Sequence, residues 1–357
     1  METVIWVGFA LALFAGILTA FKKQVNTSDK LLSIWLFLLA FDYGNIGITF
    51  LSYEPAIIPS SFFLFNPAFY LYSRSLTDEK FRLKPVQLLH LLPYIFFEFT
   101  NHYYSLHFSV NEFLLNDSDL WVRLLFAVSF LISLIIYNTL SIKYVHKHRI
   151  NLKNEFSNIN QNQKLVWLLF IVISYIVYIL LATFFGFWGF LKNDFELSNL
   201  YNYSATLALT FFLGFCGIRQ DEIYKRKFNI EKEERYLKSK LSTERKEKIK
   251  DLIINYFNDK SPYLNPDLNM QFLSEELNIP KHQLTEVLNT IIGKNFFQFV
   301  NEYRVNAVKQ KLTDPGNDKY SIESIGYDCG FSSKSSFFSV FKTLTGKTPL
   351  EFKNSVR

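Results

Sequence analysis

The chain is poor in cysteine, with two among 357 residues: Cys216 inside an apolar run and Cys329 beside a glycine. Two distant thiols make neither a disulfide scaffold nor a zinc site. Both are expected to be small buried side chains, and neither calls for an oxidising compartment. The usual catalytic signatures are also missing: there is no H-E-x-x-H, no G-x-S-x-G, no cysteine-pair metal motif and no dinucleotide fingerprint. Thr345-Gly346-Lys347-Thr348 echoes the end of a phosphate-binding loop, but Phe341 stands where that motif needs its first glycine. No enzyme activity, cofactor or metal is expected. The N-terminus carries Glu2 rather than a basic stretch and lacks a small-residue cleavage site, so no cleavable signal peptide is expected.

What is present is unevenly spread. There are 39 Phe and 49% apolar residues, high for a soluble protein, yet the mean hydropathy is only slightly positive. An apolar half and a polar half have been averaged. Up to Ile218 long apolar runs alternate with short polar loops, and from Arg219 charged residues recur every few positions.

A membrane-spanning helix needs about 20 mostly apolar residues. Seven segments qualify or come close: Val4 to Phe21, Leu31 to Leu51, Ala56 to Tyr72, Val86 to Tyr104, Leu120 to Ile142, Leu165 to Phe190 and Leu200 to Ile218. The third is the weakest, being short and carrying Pro59 and Pro67. Basic residues gather in alternate loops. Loop one has Lys22, Lys23 and Lys30, and loop three has Arg74, Lys80, Arg82 and Lys84. Loop five has Lys143, Lys147, Arg149, Lys153 and Lys164, and the seventh segment is followed by Arg219 and Lys225-Arg226-Lys227. The other loops hold only Lys192, with Arg123 at the edge of the fifth segment. Positive loops stay cytoplasmic, so the N-terminus is expected outside and the C-terminus in the cytoplasm, in a multi-pass protein of the inner membrane.

Ionisable residues within such spans are default functional candidates. Asp42, His90 and Glu98 fall in the second and fourth segments and could line a pocket for a polar ligand, or fix packing through interhelical hydrogen bonds. Loop four, Thr100 to Asp119, holds several histidines and carboxylates at spacings that fit no metal pattern, so a solvated loop is favoured.

Arg219 to Lys250 has no Gly or Pro and is expected to be helical. Ile223, Ile230, Leu237 and Leu241 make a heptad seam that could pair two copies of the chain. Lys227 and Glu234 interrupt it, which leaves a solvated connecting helix as the alternative. Lys225-Arg226-Lys227 suits anionic lipid headgroups.

Two helix-turn-helix units can be read further on. In the first, Met270 to Leu277 is a short helix, Asn278-Ile279-Pro280 a turn, and Lys281 to about Ile291 a second helix that buries Leu284, Val287 and Leu288. Its outer face offers Lys281, His282, Gln283, Thr285, Glu286 and Asn289, side chains able to read base edges. In the second, a short helix carries Ile322 and Ile325, and Cys329-Gly330-Phe331 forms a turn whose glycine suits positive φ. Ser332 or Ser333 then caps a helix through Lys342 with Phe337, Val340 and Phe341 inward. That leaves Ser333, Lys334, Ser335, Ser336, Ser339 and Lys342 for contact, with Ser332 at the entry. Phe296 to Leu312 is a helical strut between the units, roughly 25 Å long.

The run Gly330-Phe331-Ser332, Phe337, Phe341-Lys342, Thr345-Gly346 and Thr348-Pro349 resembles the signature of the AraC-type regulator family, as do Leu273, Leu277-Asn278-Ile279, Leu284, Gly293, Phe299, Tyr303-Arg304, Leu312, Ile322 and Ile325. The resemblance covers Glu244 to Lys353 and implies a DNA-binding domain of two helix-turn-helix units joined by one long helix. By it, the outward residues of both second helices touch DNA, the later one mainly at phosphates. Ser274 and Gly326 depart from the family's usual alanine. Between Glu244 and Arg357 stand 16 basic and 14 acidic residues, a balance that by itself would not mark a DNA binder.

The expected architecture is therefore all-α: a seven-helix transmembrane domain over 1–218, a charged helical linker over 219–243 and an AraC-type DNA-binding domain over 244–357. The function expected is a membrane-embedded, sequence-specific transcription regulator. Its partners would be DNA, the lipid bilayer, an unidentified small molecule or envelope signal, and a second copy through the linker. A transporter or membrane enzyme with an autoregulatory DNA-binding domain is the alternative.

Overall fold

The computed structural model describes residues 1–23, 25–51, 60–78, 81–104, 117–159, 165–192, 196–219 and 241–356. Among these the chain is all-α, with fourteen α-helices and a single isolated β-bridge. It divides into two compact units, Met1–His146 with Leu165–Lys227, and Lys147–Lys164 with Phe228–Arg357.

The first unit holds α1 (Glu2–Ala20), α2 (Thr27–Leu51), α3 (Phe62–Thr77), α4 (Leu92–Tyr104), most of α5 (Leu120–Glu155), α6 (Val166–Lys192) and α7 (Glu196–Arg219). Helix α1 packs against α2 and α7 through glycines that let the backbones approach, as membrane helices do. A Cβ on Gly8 would lie 2.5 Å from the Tyr43 ring, and one on Gly214 of α7 would lie 3.0 Å from the Ala15 Cβ. Pro67 lies within α3. The fourth segment changes helix type part-way: Pro85–Leu91 is 3-10 helix and α4 begins at Leu92. Pro93 then occupies the first turn, where a missing N–H costs nothing.

Among the described residues, four helices are long and apolar enough to cross a membrane: α1, α2, α5 and Trp167–Gly189 of α6. Their outer faces are apolar, with Ile48 61%, Ile135 65%, Ile173 61% and Leu180 65% exposed. Helix α5 runs to Glu155 rather than ending near Ile142. Its 36 residues measure roughly 54 Å, well beyond the ~30 Å of a hydrocarbon core.

The second unit holds α8 (Thr243–Lys260), α9 (Met270–Leu277), α10 (Lys281–Val287), α11 (Phe296–Thr313), α12 (Ile322–Asp328), α13 (Lys334–Thr345) and α14 (Pro349–Ser355). Polar caps set most of their starts. Asn269 Oδ1 accepts from Phe272 N at 3.0 Å, and Asn295 with Gln298 forms a reciprocal capping box. Two cores share α11. Phe296, Phe299 and Val300 enter the first with Phe257, Leu273 and Leu284. Val305, Val308 and Leu312 enter the second with Ile325, Phe337 and Phe341. The expected strut is thus a wall of both units.

The heptad positions Ile223, Ile230 and Leu237, and the basic cluster at 225–227, lie outside the described residues, as does most of loop four. Leu241 packs on the first core of the second unit.

Candidate nucleic-acid interface

Each unit of the C-terminal domain presents one helix after a tight turn. In the first, α9 ends at Asn278 in left-handed conformation with φ 50°, and Pro280 leads into α10. Leu284 and Val287 are buried. His282, Gln283, Thr285 and Glu286 are half-buried on the other face. Asn289 is exposed, but in a π turn, Leu288–Ile292, that replaces the last turn expected of the helix. Lys281 does not face outward. It is 7% exposed, because the first position after Pro280 tucks against the unit. Glu286 is held by Lys246 of α8 at 2.7 Å. Gln283 Oε1 is buried without a hydrogen-bond partner, so its carbonyl has an unfilled acceptor site.

In the second unit the turn uses Gly330 at φ 92°, where a Cβ would stand 2.2 Å from the Tyr263 carbonyl oxygen. Ser333 caps α13, its hydroxyl accepting from Ser336 N at 3.3 Å. Phe337 and Phe341 are buried while Val340 is half-buried. Ser332, Lys334, Ser335, Ser339 and Lys342 are exposed, and Ser333 and Ser336 are half-buried. Lys334 pairs with Glu323 of α12, whose carboxylate pushes the ammonium's pKa up. A row rich in serine, with one cation at each end, can donate to phosphate oxygens and reach into a groove.

The two departures from the family pattern have local causes. Ser274 uses its hydroxyl to donate to the Ile279 carbonyl at 2.6 Å, fixing the turn. At Gly326 a Cβ would lie 2.6 Å from the Phe337 ring, so the alanine usual there would not fit this packing.

The residue that sequence reasoning undervalued is Arg304. It is fully buried on α11 and donates to the carbonyls of Tyr263 at 2.8 Å, Asn265 at 2.9 Å and Ser157 at 3.1 Å, and to the Ser157 hydroxyl at 2.9 Å. Burial pushes its pKa down to about 9, so it stays charged at neutral pH.

In the first unit the sensor candidates are not joined to one another by hydrogen bonds. Asp42 is buried and accepts from the Ser61 hydroxyl at 2.6 Å. His90 Nδ1 lies 2.7 Å from the Tyr137 hydroxyl, with the rings of Tyr70 and Tyr137 edge-on to its own. Glu98 is exposed. The structure also shows a buried ion pair that the loop charges alone did not reveal. Lys22 Nζ lies 2.8 Å from Asp29 Oδ1 and donates to the Gly217 carbonyl at 2.7 Å, near the end of α7. Among the described residues there is no cluster of three or more histidine, cysteine or carboxylate groups able to hold a metal.

This geometry places two helices, each entered through a tight turn, on either side of the shared helix α11. Residues 273–355 match the family model described as a helix-turn-helix domain, of AraC type, which supports a DNA-binding transcription regulator. No curated protein matches the chain. A solved structure of a protein of unknown function from Listeria innocua is similar over 30% of this chain and 98% of its own, at 22% identity and a TM-score of 0.28, too low to carry a structural inference.

Proposed function

We propose that the chain is a membrane-embedded, sequence-specific transcription regulator. Its apolar half receives a signal in or across the bilayer, and its C-terminal unit binds promoter DNA in the cytoplasm. The observation that carries the reading is the pair of units sharing α11, each presenting one helix, α10 or α13, with a polar outer face. Two readers on one rigid helix suit two successive major grooves on one side of a duplex. In α10, Gln283 and Thr285 are the base-reading candidates, flanked by His282, Glu286 and Asn289. In α13, Lys334, Lys342 and the serines contact mainly phosphates.

Outward apolar faces on α1, α2, α5 and α6 support residence in the bilayer, since exposed apolar surface of that extent marks a lipid or protein contact. Alternating loop charge supports an outside N-terminus and a cytoplasmic C-terminus. Asp42 and His90 are the candidate signal-receiving groups, and pairing of two copies through 219–243 would raise affinity for a repeated site.

The test is selection of duplexes from a random pool by the full chain in lipid nanodiscs. A discrete two-part consensus is expected. Gln283→Ala should weaken binding by about 1–3 kcal/mol and relax preference at one position, as loss of a base-edge contact does. Lys334→Ala should weaken all duplexes alike and flatten the salt dependence. Unchanged preference and salt slope in both variants would contradict the assigned faces.

A further inference from the structure

The C-terminal unit contains a piece of chain from far upstream. Phe156 follows Glu155, the last residue of α5, and the segment Phe156 to Ile159 lies in a groove walled by both reading units and by α11. Phe156 makes an antiparallel β-bridge with Asn269, the cap of α9. The Ser157 hydroxyl donates to the Leu268 carbonyl at 2.5 Å and accepts from Arg304 Nη2 at 2.9 Å. The Ser157 carbonyl accepts from Asn301 Nδ2 at 3.0 Å and from Arg304 Nη1 at 3.1 Å. Asn158 Nδ2 donates to the Pro266 carbonyl at 2.7 Å and to the Gly330 carbonyl at 3.0 Å. One side chain therefore grips the approach to the first unit and the turn of the second together.

The groove has the construction of a binding site. Ser157 and Arg304 are fully buried, Asn301 is 1% exposed and Ile159 is 7% exposed. All five acceptors of the guanidinium are neutral oxygens, and Ser157 supplies two of them. With the groove empty, both Nη groups would lose a partner, and a buried cation without its acceptors is strongly disfavoured. Recognition runs largely through backbone atoms, as when a peptide adds an extended segment to a protein edge.

We propose that the groove between the two reading units is a peptide-docking site whose occupant is Phe156–Ile159 of this same chain, and that its occupation fixes the two reading helices in register for a two-part DNA site. This rests on the reading of α10 and α13 as DNA-contacting helices. Bonds from one segment to both units remove their relative freedom before DNA arrives, and binding that requires both readers gains from freedom already removed. A single reader gains nothing. Because the segment directly follows α5, displacement of that helix's end would empty the groove and loosen the register.

Two measurements on the full chain in nanodiscs test this. The first replaces Phe156 with a photoreactive benzoyl-phenylalanine and maps the cross-links. Capture within Tyr263–Met270 is expected, and absence of capture there overturns the docking whether or not the protein binds DNA. The second compares the Ser157→Ala/Asn158→Ala double variant with the unaltered chain on the duplex selected by the latter, and on that duplex cut to one half. The variant should bind the two-part duplex about tenfold more weakly and the half duplex as before, as loss of a linked second contact predicts. Asn158→Ala alone keeps every Arg304 acceptor and guards against misfolding; it should shift the two-part duplex in the same direction by less. Equal weakening on both duplexes, or none on either, overturns the register role. Failure of the unaltered chain to select any duplex while the cross-link forms would instead remove the DNA-reading premise and leave the docked segment standing.

Discussion

Several single residues carry requirements that can be measured directly. Gly330 combines φ 92° with a backbone oxygen 2.2 Å from any added Cβ. Gly330→Ala is expected to destabilise the C-terminal unit by about 3 kcal/mol or more, from positive-φ strain plus overpacking, read by thermal or denaturant unfolding. Gly326→Ala sets two effects against each other. Overpacking against the Phe337 ring costs about 1–3 kcal/mol and helix propensity returns about 1, so a net loss near 1 kcal/mol is expected. A net gain would show that the ring yields freely. Arg304→Lys keeps the charge but not the fork that reaches Tyr263, Asn265 and Ser157 together, and should cost about 2–4 kcal/mol. Cys329 is fully buried, and burial pushes its thiol pKa up to about 11, so it should resist alkylation at pH 8 in the folded protein and react after denaturation. At Glu351 the backbone N–H of Thr348 donates to the carboxylate at 2.8 Å and holds its pKa below the ordinary value. A depressed carboxylate adds stability that is fully present above its unfolded pKa of about 4.3 and is lost as pH falls through the folded value. Glu351→Gln should therefore flatten the acid limb of the unfolding midpoint against pH, and an unchanged limb would contradict that role.

At the scale of elements, local chemistry made the helices of the C-terminal unit readable. The span Met270–Leu277 was legible to the residue because Asn269 caps one end and Asn278 with Pro280 stops the other. Asn278 takes the left-handed conformation at φ 50°, so Asn278→Gly should be nearly neutral and Asn278→Ala should cost about 1 kcal/mol in an unfolding measurement. The signal at Gly346, φ 75°, ends α13 at Thr345, three residues after the expected Lys342. Where position relative to a neighbour decided the outcome, sequence pattern fell short. Lys281 sits on the polar side of a helical wheel, yet the sharp entry from Pro280 buries it. Helix α5 loses its apolar character after Ile142, which read as an end, although nothing breaks the helix before Glu155. The docking of Ser157 on Arg304 joins residues 147 apart and leaves no local trace in either segment.

For the whole molecule, composition and loop charge indicated two different solvents for two parts of one chain. The exposed apolar faces of the long N-terminal helices agree with that division, as does the helix-turn-helix match at residues 273–355. The pairing of Lys22 with Asp29 and the Gly217 carbonyl shows that some loop cations serve packing inside the first unit. The membrane-embedded regulator proposed above would have to hold DNA while still anchored. The most direct test is cross-linking in living cells, followed by membrane separation and sequencing of DNA recovered with a C-terminally tagged chain. Discrete promoter fragments, recovered with the full-length chain in the membrane fraction, are expected. Recovery of no DNA above an untagged control, or of DNA only with a shortened soluble fragment, would contradict an anchored reader.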